Sequence, residues 1–224
     1  GAVRWLVFDG ALTLTHGSGI TLPGSANITT AAGDMAEVYA DAVDAFRVKY
    51  FRASGLPIVA EYGFEQVGAT TTASNDATVE FTLDTSTYTS FEIEFDNVVP
   101  QTDGQGLILR TSTDGGSTFD SGASDYNLQR ITINSSGSVS GAATIGNSFA
   151  IAGDVGSDTN ESASGIIRII NPAGTGFTHI TATVFAEAAD GNHDGYYSFG
   201  ARLSAADVDA VQLRFTSGNT NGTF

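Results

Sequence analysis

The stretch TVEFTL (Thr78–Leu83), followed by FEIEF (Phe91–Phe95), alternates large apolar with polar side chains. Val79, Phe81 and Leu83 point one way and Thr78, Glu80 and Thr82 the other, while Phe91, Ile93 and Phe95 share a face with Glu92 and Glu94 turned outward. This period of two marks strands buried on one side only. Working outward, Leu107–Arg110, Tyr126–Ile133, Ile166–Ile170, His179–Phe185, Tyr196–Arg202 and Val208–Phe215 bring the total to about eight strands. Turn residues separate nearly all of them: Asp103-Gly104, Asp114-Gly115-Gly116, Ser136-Gly137, Asn171-Pro172, Asp190-Gly191-Asn192 and Asp194-Gly195. The one helix signal is a single turn at Ser204–Asp207, with Ser204 as N-cap. The pattern predicts an all-β chain whose residues 77–224 form an antiparallel, jelly-roll-like β-sandwich.

Upstream, residues 68–76 (GATTTASND) hold no apolar side chain larger than Ala and read as a linker. Residues 1–67 alternate strand-length pieces with Gly-rich punctuation, at Arg4–Phe8, Ala11–Leu14, Ile20–Leu22, Asn27–Thr30, Met35–Ala40 and Phe46–Arg52, which predicts a small β module. The outward Glu and Thr of the second segment predict a sandwich that stands alone. The first segment is below the ~70 residues at which one core suffices, so it is expected to complete its core by oligomerising.

Composition sets the outer bounds. The 224 residues include 9 Lys and Arg against 25 Asp and Glu, a net charge of -16. Such a chain is repelled by phosphate backbones and has no basic run to offset that, so nucleic acid is not an expected partner. At 41% hydrophobic and 10% aromatic residues it is too apolar for disorder. No stretch approaches the ~20 apolar residues of a membrane helix, and membrane insertion is not expected. The absence of Cys removes disulfides, thiol catalysis and Cys-ligated metals.

Ser112-Thr113-Asp114-Gly115-Gly116-Ser117-Thr118-Phe119 is the sharpest short motif. It resembles the Asp box repeated in sialidase-type propellers, where the box is structural and lies away from the catalytic residues. Here Ser112, Asp114, Gly116, Thr118 and Phe119 fit the spacing once, which predicts a hairpin held by Asp hydrogen bonds, Gly at positive φ and an aromatic anchor. Asp114, Asp120 and Asp125 in one loop, and Asp190, Asn192 and Asp194 in another, are hard oxygen ligands suited to Ca²⁺. Asp and Asn are also the default turn formers, and neither loop matches an EF-hand, so no cofactor is expected and Ca²⁺ is the one candidate metal.

His16, His179 and His193 lack a second His at metal spacing or a G-x-S-x-G nucleophile motif, and His193 reads as a loop residue. Glu92 and Glu94 read as the outward face of a strand rather than a glycosidase pair. No catalytic residue is expected. The sequons at Asn27, Asn134, Asn160 and Asn221 follow from a composition rich in Asn, Ser and Thr. Trp5, Tyr39, Tyr50, Tyr62, Tyr88, Tyr126, Tyr196 and Tyr197 are candidate carbohydrate platforms. Adjacent Tyr196 and Tyr197 point to opposite faces of a strand, so one ring faces outward and is a candidate glycan contact.

Residues 12–57 carry a Thr-rich lead, a Leu-Pro-Gly turn (Leu22–Gly24), Asn-Ile-Thr-Thr (Asn27–Thr30), a Gly-Asp turn (Gly33–Asp34) and Tyr-x-Arg-Ala-Ser-Gly (Tyr50–Gly55). This stretch resembles a recurrent module of bacteriophage tail-fibre and related virion proteins, with Phe46 where the module usually has Trp. Residues 91–126 are similar to a C-terminal β domain of phage and prophage proteins, in which a further strand often follows a Gly-Thr-Phe like Gly222–Phe224. The resemblance implies a non-enzymatic virion structural protein. In that reading a homotrimer contacts other virion proteins through its N-terminal module, sits on the particle surface, and presents the sandwich to a host cell-surface glycan. The opening Gly1-Ala2-Val3, without Met, adds the expectation of a fragment from a longer fibre. The alternatives are a capsid head fibre or decoration protein, and a secreted carbohydrate-binding module or adhesin. A glycan depolymerase is a third class.

Overall fold

The computed structural model describes residues 3–54 and 66–224. Tyr62 and the last three residues of the 12–57 stretch lie outside the described residues. The chain divides into two compact units, Gly1–Ala69 and Thr70–Phe224.

The first unit contains β1 (Val3–Val7), β2 (Thr13–Leu14), β3 (Ile20–Thr21), β4 (Ile28–Thr29), β5 (Met35–Ala42) and β6 (Ala45–Phe51). A four-stranded sheet runs β1-β5-β6-β3, with β3 parallel to β6, and β2 pairs with β4. Pro23–Ser25 form a single 3-10 turn. Among the described residues, the buried cluster of this unit comprises Phe8, Leu22, Ile28, Ala36, Val48 and Tyr50. It is tied together by Asp34, a buried carboxylate that accepts hydrogen bonds from the amides of Ala31 and Ala53, both at 2.8 Å, and from the Tyr50 hydroxyl. These bonds to the charged form hold Asp34 below the usual carboxylate range, led by that from Tyr50. Burial pushes the Tyr50 phenol up to about 12. On the opposite face Val3, Trp5, Val7, Met35 and Phe51 are exposed, with Trp5 stacked on Phe51 at 5.8 Å.

The second unit is a β-sandwich of twelve strands: β7 (Thr72–Asp76), β8 (Val79–Thr82), β9 (Ser90–Pro100), β10 (Gln105–Ser112), β11 (Tyr126–Ile133), β12 (Val139–Gly146), β13 (Phe149–Val155), β14 (Ala163–Ile170), β15 (His179–Glu187), β16 (His193–Arg202), β17 (Ala210–Phe215) and β18 (Thr220–Thr223). One sheet has eight strands in the order β12-β11-β16-β15-β14-β9-β18-β7, the other four in the order β13-β10-β17-β8. All pairings in this unit are antiparallel. Only the connections β11–β12, β14–β15 and β15–β16 stay within a sheet; every other one crosses between sheets. One continuous core fills the space between them, with Leu107, Leu109, Phe149, Ile151, Ile167, Ile169, Ile180, Leu213 and Phe215 fully buried. At ~1.5–3 kcal/mol for each large apolar side chain, this core dominates the unit's stability.

Three expectations are corrected. Thr72–Asp76, read as part of a linker, is strand β7, paired with β18, and the division between units falls at Ala69–Thr70. Its side chains are small and mostly exposed, so backbone hydrogen bonds rather than burial make it a strand. Ser204–Asp207 forms no helical turn; Val208 is instead fixed by its amide donating to the Pro172 carbonyl at 3.0 Å. The outward face of the large sheet is not lined by Glu and Thr throughout, since Ile131, Ile133, Val139, Phe185, Tyr197 and Phe199 are exposed on it.

Candidate functional site

In an antiparallel sheet, directly opposed residues place their side chains on the same face. Tyr197 of β16 opposes Ile131 of β11 and Thr183 of β15, Phe199 opposes Gln129 and Thr181, and Ala201 opposes Asn127 and His179. Ile131 and Ile133 oppose Gly141 and Val139 of β12. Strand pairing thus builds one solvent-facing surface, on which Phe185, Tyr197, Phe199, Ile131, Ile133 and Val139 are exposed. The sixteen outward positions from β12, β11, β16 and β15 in these four rows include no Asp, Glu, Lys or Arg. Charge returns in the next row, where Glu187 of β15 opposes His193 of β16, and beyond β15, where Arg168 Nε bonds Glu92 at 2.5 Å.

At one end of this surface lies an open depression of about 370 Å³ whose lining includes Asn127, Gln129, Phe177, His179, Thr181 and Phe199. Its chemistry is two aromatic rings, two carboxamides, a hydroxyl and an imidazole. Gln129 Nε2 donates to Asn127 Oδ1 at 2.7 Å, which orients both amides and leaves the Asn127 NH₂ and the Gln129 carbonyl without partners among the described residues. Close strand approach shapes this end of the sheet. A Cβ on Gly200 would lie 2.0 Å from the Asn127 carbonyl oxygen, so only glycine lets β16 sit this near to β11.

The structure separates the two adjacent tyrosines. Tyr197 is outward and exposed, whereas Tyr196 is buried, its hydroxyl donating to the Gly153 carbonyl at 2.6 Å, and it is therefore no glycan contact. Burial raises its phenol above the usual range. Phe177 and Phe199 were not among the candidate platforms, yet the alternation that sends Tyr197 outward sends Phe199 outward too.

The Asp-box-like segment is a closed turn. Asp114 Oδ1 accepts from Ser112 Oγ (2.8 Å) and the Thr118 amide (2.9 Å), and Oδ2 accepts from Thr118 Oγ1 (2.6 Å). Ser112 Oγ in turn accepts from the Gly116 amide at 3.0 Å, and Gly116 has φ 85°. Thr118 leads the groups that pull Asp114 down to about 2.

The candidate calcium ligands are not gathered into a site. Among the described residues, no three His, Asp or Glu are placed to hold a metal ion. Asp120 has a guanidinium for its cation: Arg202 Nε donates to Oδ2 at 2.6 Å, and Thr111 Oγ1 donates to the same oxygen at 2.6 Å. Thr111 is also bonded to the buried Tyr126 hydroxyl, which burial pushes up to about 12. Asp125 accepts from the Gly122 amide, Asp190 from the Asn192 amide and side chain, and Asp194 from Tyr196. Those of Asp125 and Asp190 are the bonds of ordinary turns, whereas Asp194 lies within β16 rather than in a loop.

His193 opens β16 rather than lying in a loop; it stacks on Phe185 at 5.5 Å, with Nδ1 3.8 Å from Glu187. His16 Nδ1 accepts from the Leu22 amide at 3.2 Å, a structural role in the first unit.

No protein-family model, curated protein or solved structure matches the chain.

Proposed function

We propose that the protein is a non-enzymatic bacteriophage virion component of tail-fibre type, carried on the particle surface as a homotrimer, and that it mediates attachment to a host cell-surface glycan. The observation that carries this reading is the depression at Phe177 and Phe199. Aromatic plates stack on the apolar faces of sugar rings, and fixed carboxamides bond hydroxyls. The lack of any charged group among its lining residues suits a neutral saccharide. The resemblance of residues 12–57 to fibre modules supports the virion setting, and the exposed Trp5, Met35 and Phe51 surface supports assembly through the first unit.

The test is adsorption of the purified chain to host cells and to polysaccharide released from them. Phe199 is partly exposed, so Phe199→Ala keeps the fold. Loss of ~1.5 kcal/mol of ring contact weakens binding about tenfold. Equal binding by wild type and variant sinks the glycan reading. Gold-labelled antibody on particles distinguishes the tail from the head, where a decoration protein would sit.

A further inference from the structure

The other end of this surface, away from the depression, has a different chemistry. Val139 opposes Ile133, Ile131 opposes Tyr197, and Phe185 lies diagonally from Tyr197 across β15 and β16. These five side chains are 40 to 67% exposed, together equivalent to about two and a half whole side chains. At ~200 Å² each that is ~500 Å² of apolar surface in one patch. With protein interfaces ~60% apolar, such a patch belongs to a contact of roughly 800 Å² per partner, the size of a standard specific interface.

The outermost strand adds an independent argument. β12 is exposed along nearly its whole length and on both faces: Val139, Gly141, Ala143 and Ile145 on one, Ser140, Ala142 and Thr144 on the other. It is held by β11 alone, and its far edge is free. An eight-residue edge strand without Pro or charge is a template for another chain, the kind of edge that proteins otherwise protect with Lys, Pro or a bulge.

Charge selects the occupant. Two chains at -16 repel, and they can meet stably only where neither brings carboxylates to the contact. The β12 edge and the rows of Val139, Ile131 and Tyr197 meet that condition, and the one carboxylate bordering the patch, Glu187, lies beside the His193 imidazole. A basic partner would gain little from it, since the rows of Val139, Ile131 and Tyr197 offer no anion to bind and Glu187 at their border already faces His193.

We infer that the β12 edge and the Val139, Ile133, Ile131, Tyr197 and Phe185 patch form an interface on which a second copy of this chain packs. The depression at the opposite end stays open. The contact does not depend on host attachment, and it lies in the second unit rather than the first.

Light scattering and sedimentation of the full chain at 1 to 100 µM test this. The wild type is expected to show a multiple of 23.1 kDa. The double variant Ile131→Glu, Ile133→Glu is expected to give a smaller assembly than the wild type, no larger than the first unit alone holds together, with an unchanged circular dichroism spectrum, because both side chains already face solvent. Val43→Glu, which adds charge at the exposed β5–β6 hairpin, is expected to keep the wild-type mass. A single thiol at Ile131→Cys, in a chain with no cysteine, should react with a maleimide at least tenfold more slowly at 100 µM than at 1 µM. A wild type of single-chain mass at 100 µM overturns the inference, as does a double Glu variant whose mass equals that of the wild type; a variant that falls to a trimer keeps it and leaves the first-unit assembly standing separately.

Discussion

Asp120 shows how a residue read as a metal ligand is claimed by a partner 82 positions away in sequence. Its spacing from Asp114 and Asp125 is visible in the sequence, but Arg202 at the end of β16 is not visibly its neighbour. The pair is largely buried on the Arg202 side. Asp120→Ala therefore strands a guanidinium, and we expect a loss of about 3 kcal/mol in urea unfolding, with Asp120→Asn milder. Asp114 belongs to the opposite class, since all its partners lie within four residues, and the motif could be read as a turn from sequence alone. Its carboxyl is depressed to about 2 in the folded chain, so its contribution is full above the unfolded value of ~3.9 and is lost as pH falls toward 2. Asp114→Asn should lower the urea midpoint at pH 7 and match wild type by pH 2. Tyr50 has the reverse sign. With its folded pKa raised to about 12, it favours folding below the ordinary phenol value of ~10, and this is lost as pH rises through 12.

Strands that alternate cleanly were the legible elements. The eight expected stretches of the second unit coincide with β8–β11 and β14–β17, because large side chains at every second position report burial directly. The four that escaped report it poorly. β7 and β18 are short, polar and joined mainly through their backbones, and β12 is small-residue and exposed. β13 breaks its alternation at Asp154, where φ is 54° and the register with β10 shifts. The depression was legible only in part, since Phe199 follows from the period of β16 while its meeting with Phe177 and Asn127 depends on strand order. The close approach of β16 to β11 gives a test at this scale. Gly200→Ala forces the Asn127 carbonyl to move, and a loss of roughly 1–3 kcal/mol in thermal or urea unfolding is expected, with glycan binding reduced in parallel.

Taken whole, the molecule is strongly acidic, yet one broad surface of its second unit carries almost no charge. An uncharged interface between strongly acidic copies has an unusual salt response. Raising salt from 50 to 500 mM screens the long-range repulsion and leaves the contact itself untouched, so association should tighten severalfold in sedimentation equilibrium, where an ion-paired interface would weaken. Strand order was beyond the reach of periodicity, which gives faces but not neighbours. In the four-stranded sheet β8, β10, β13 and β17 are each entered from the eight-stranded sheet and left back into it. No strand of that sheet can be laid down beside its predecessor in sequence, so the chain must close several long loops before either sheet is complete. Slow folding is expected from this topology, and slow unfolding is expected as well if freeing any one of the four strands disturbs two crossings and the shared core. For a chain with no disulfide to fall back on, endurance against heat or protease is then set by the height of that barrier rather than by the equilibrium it separates.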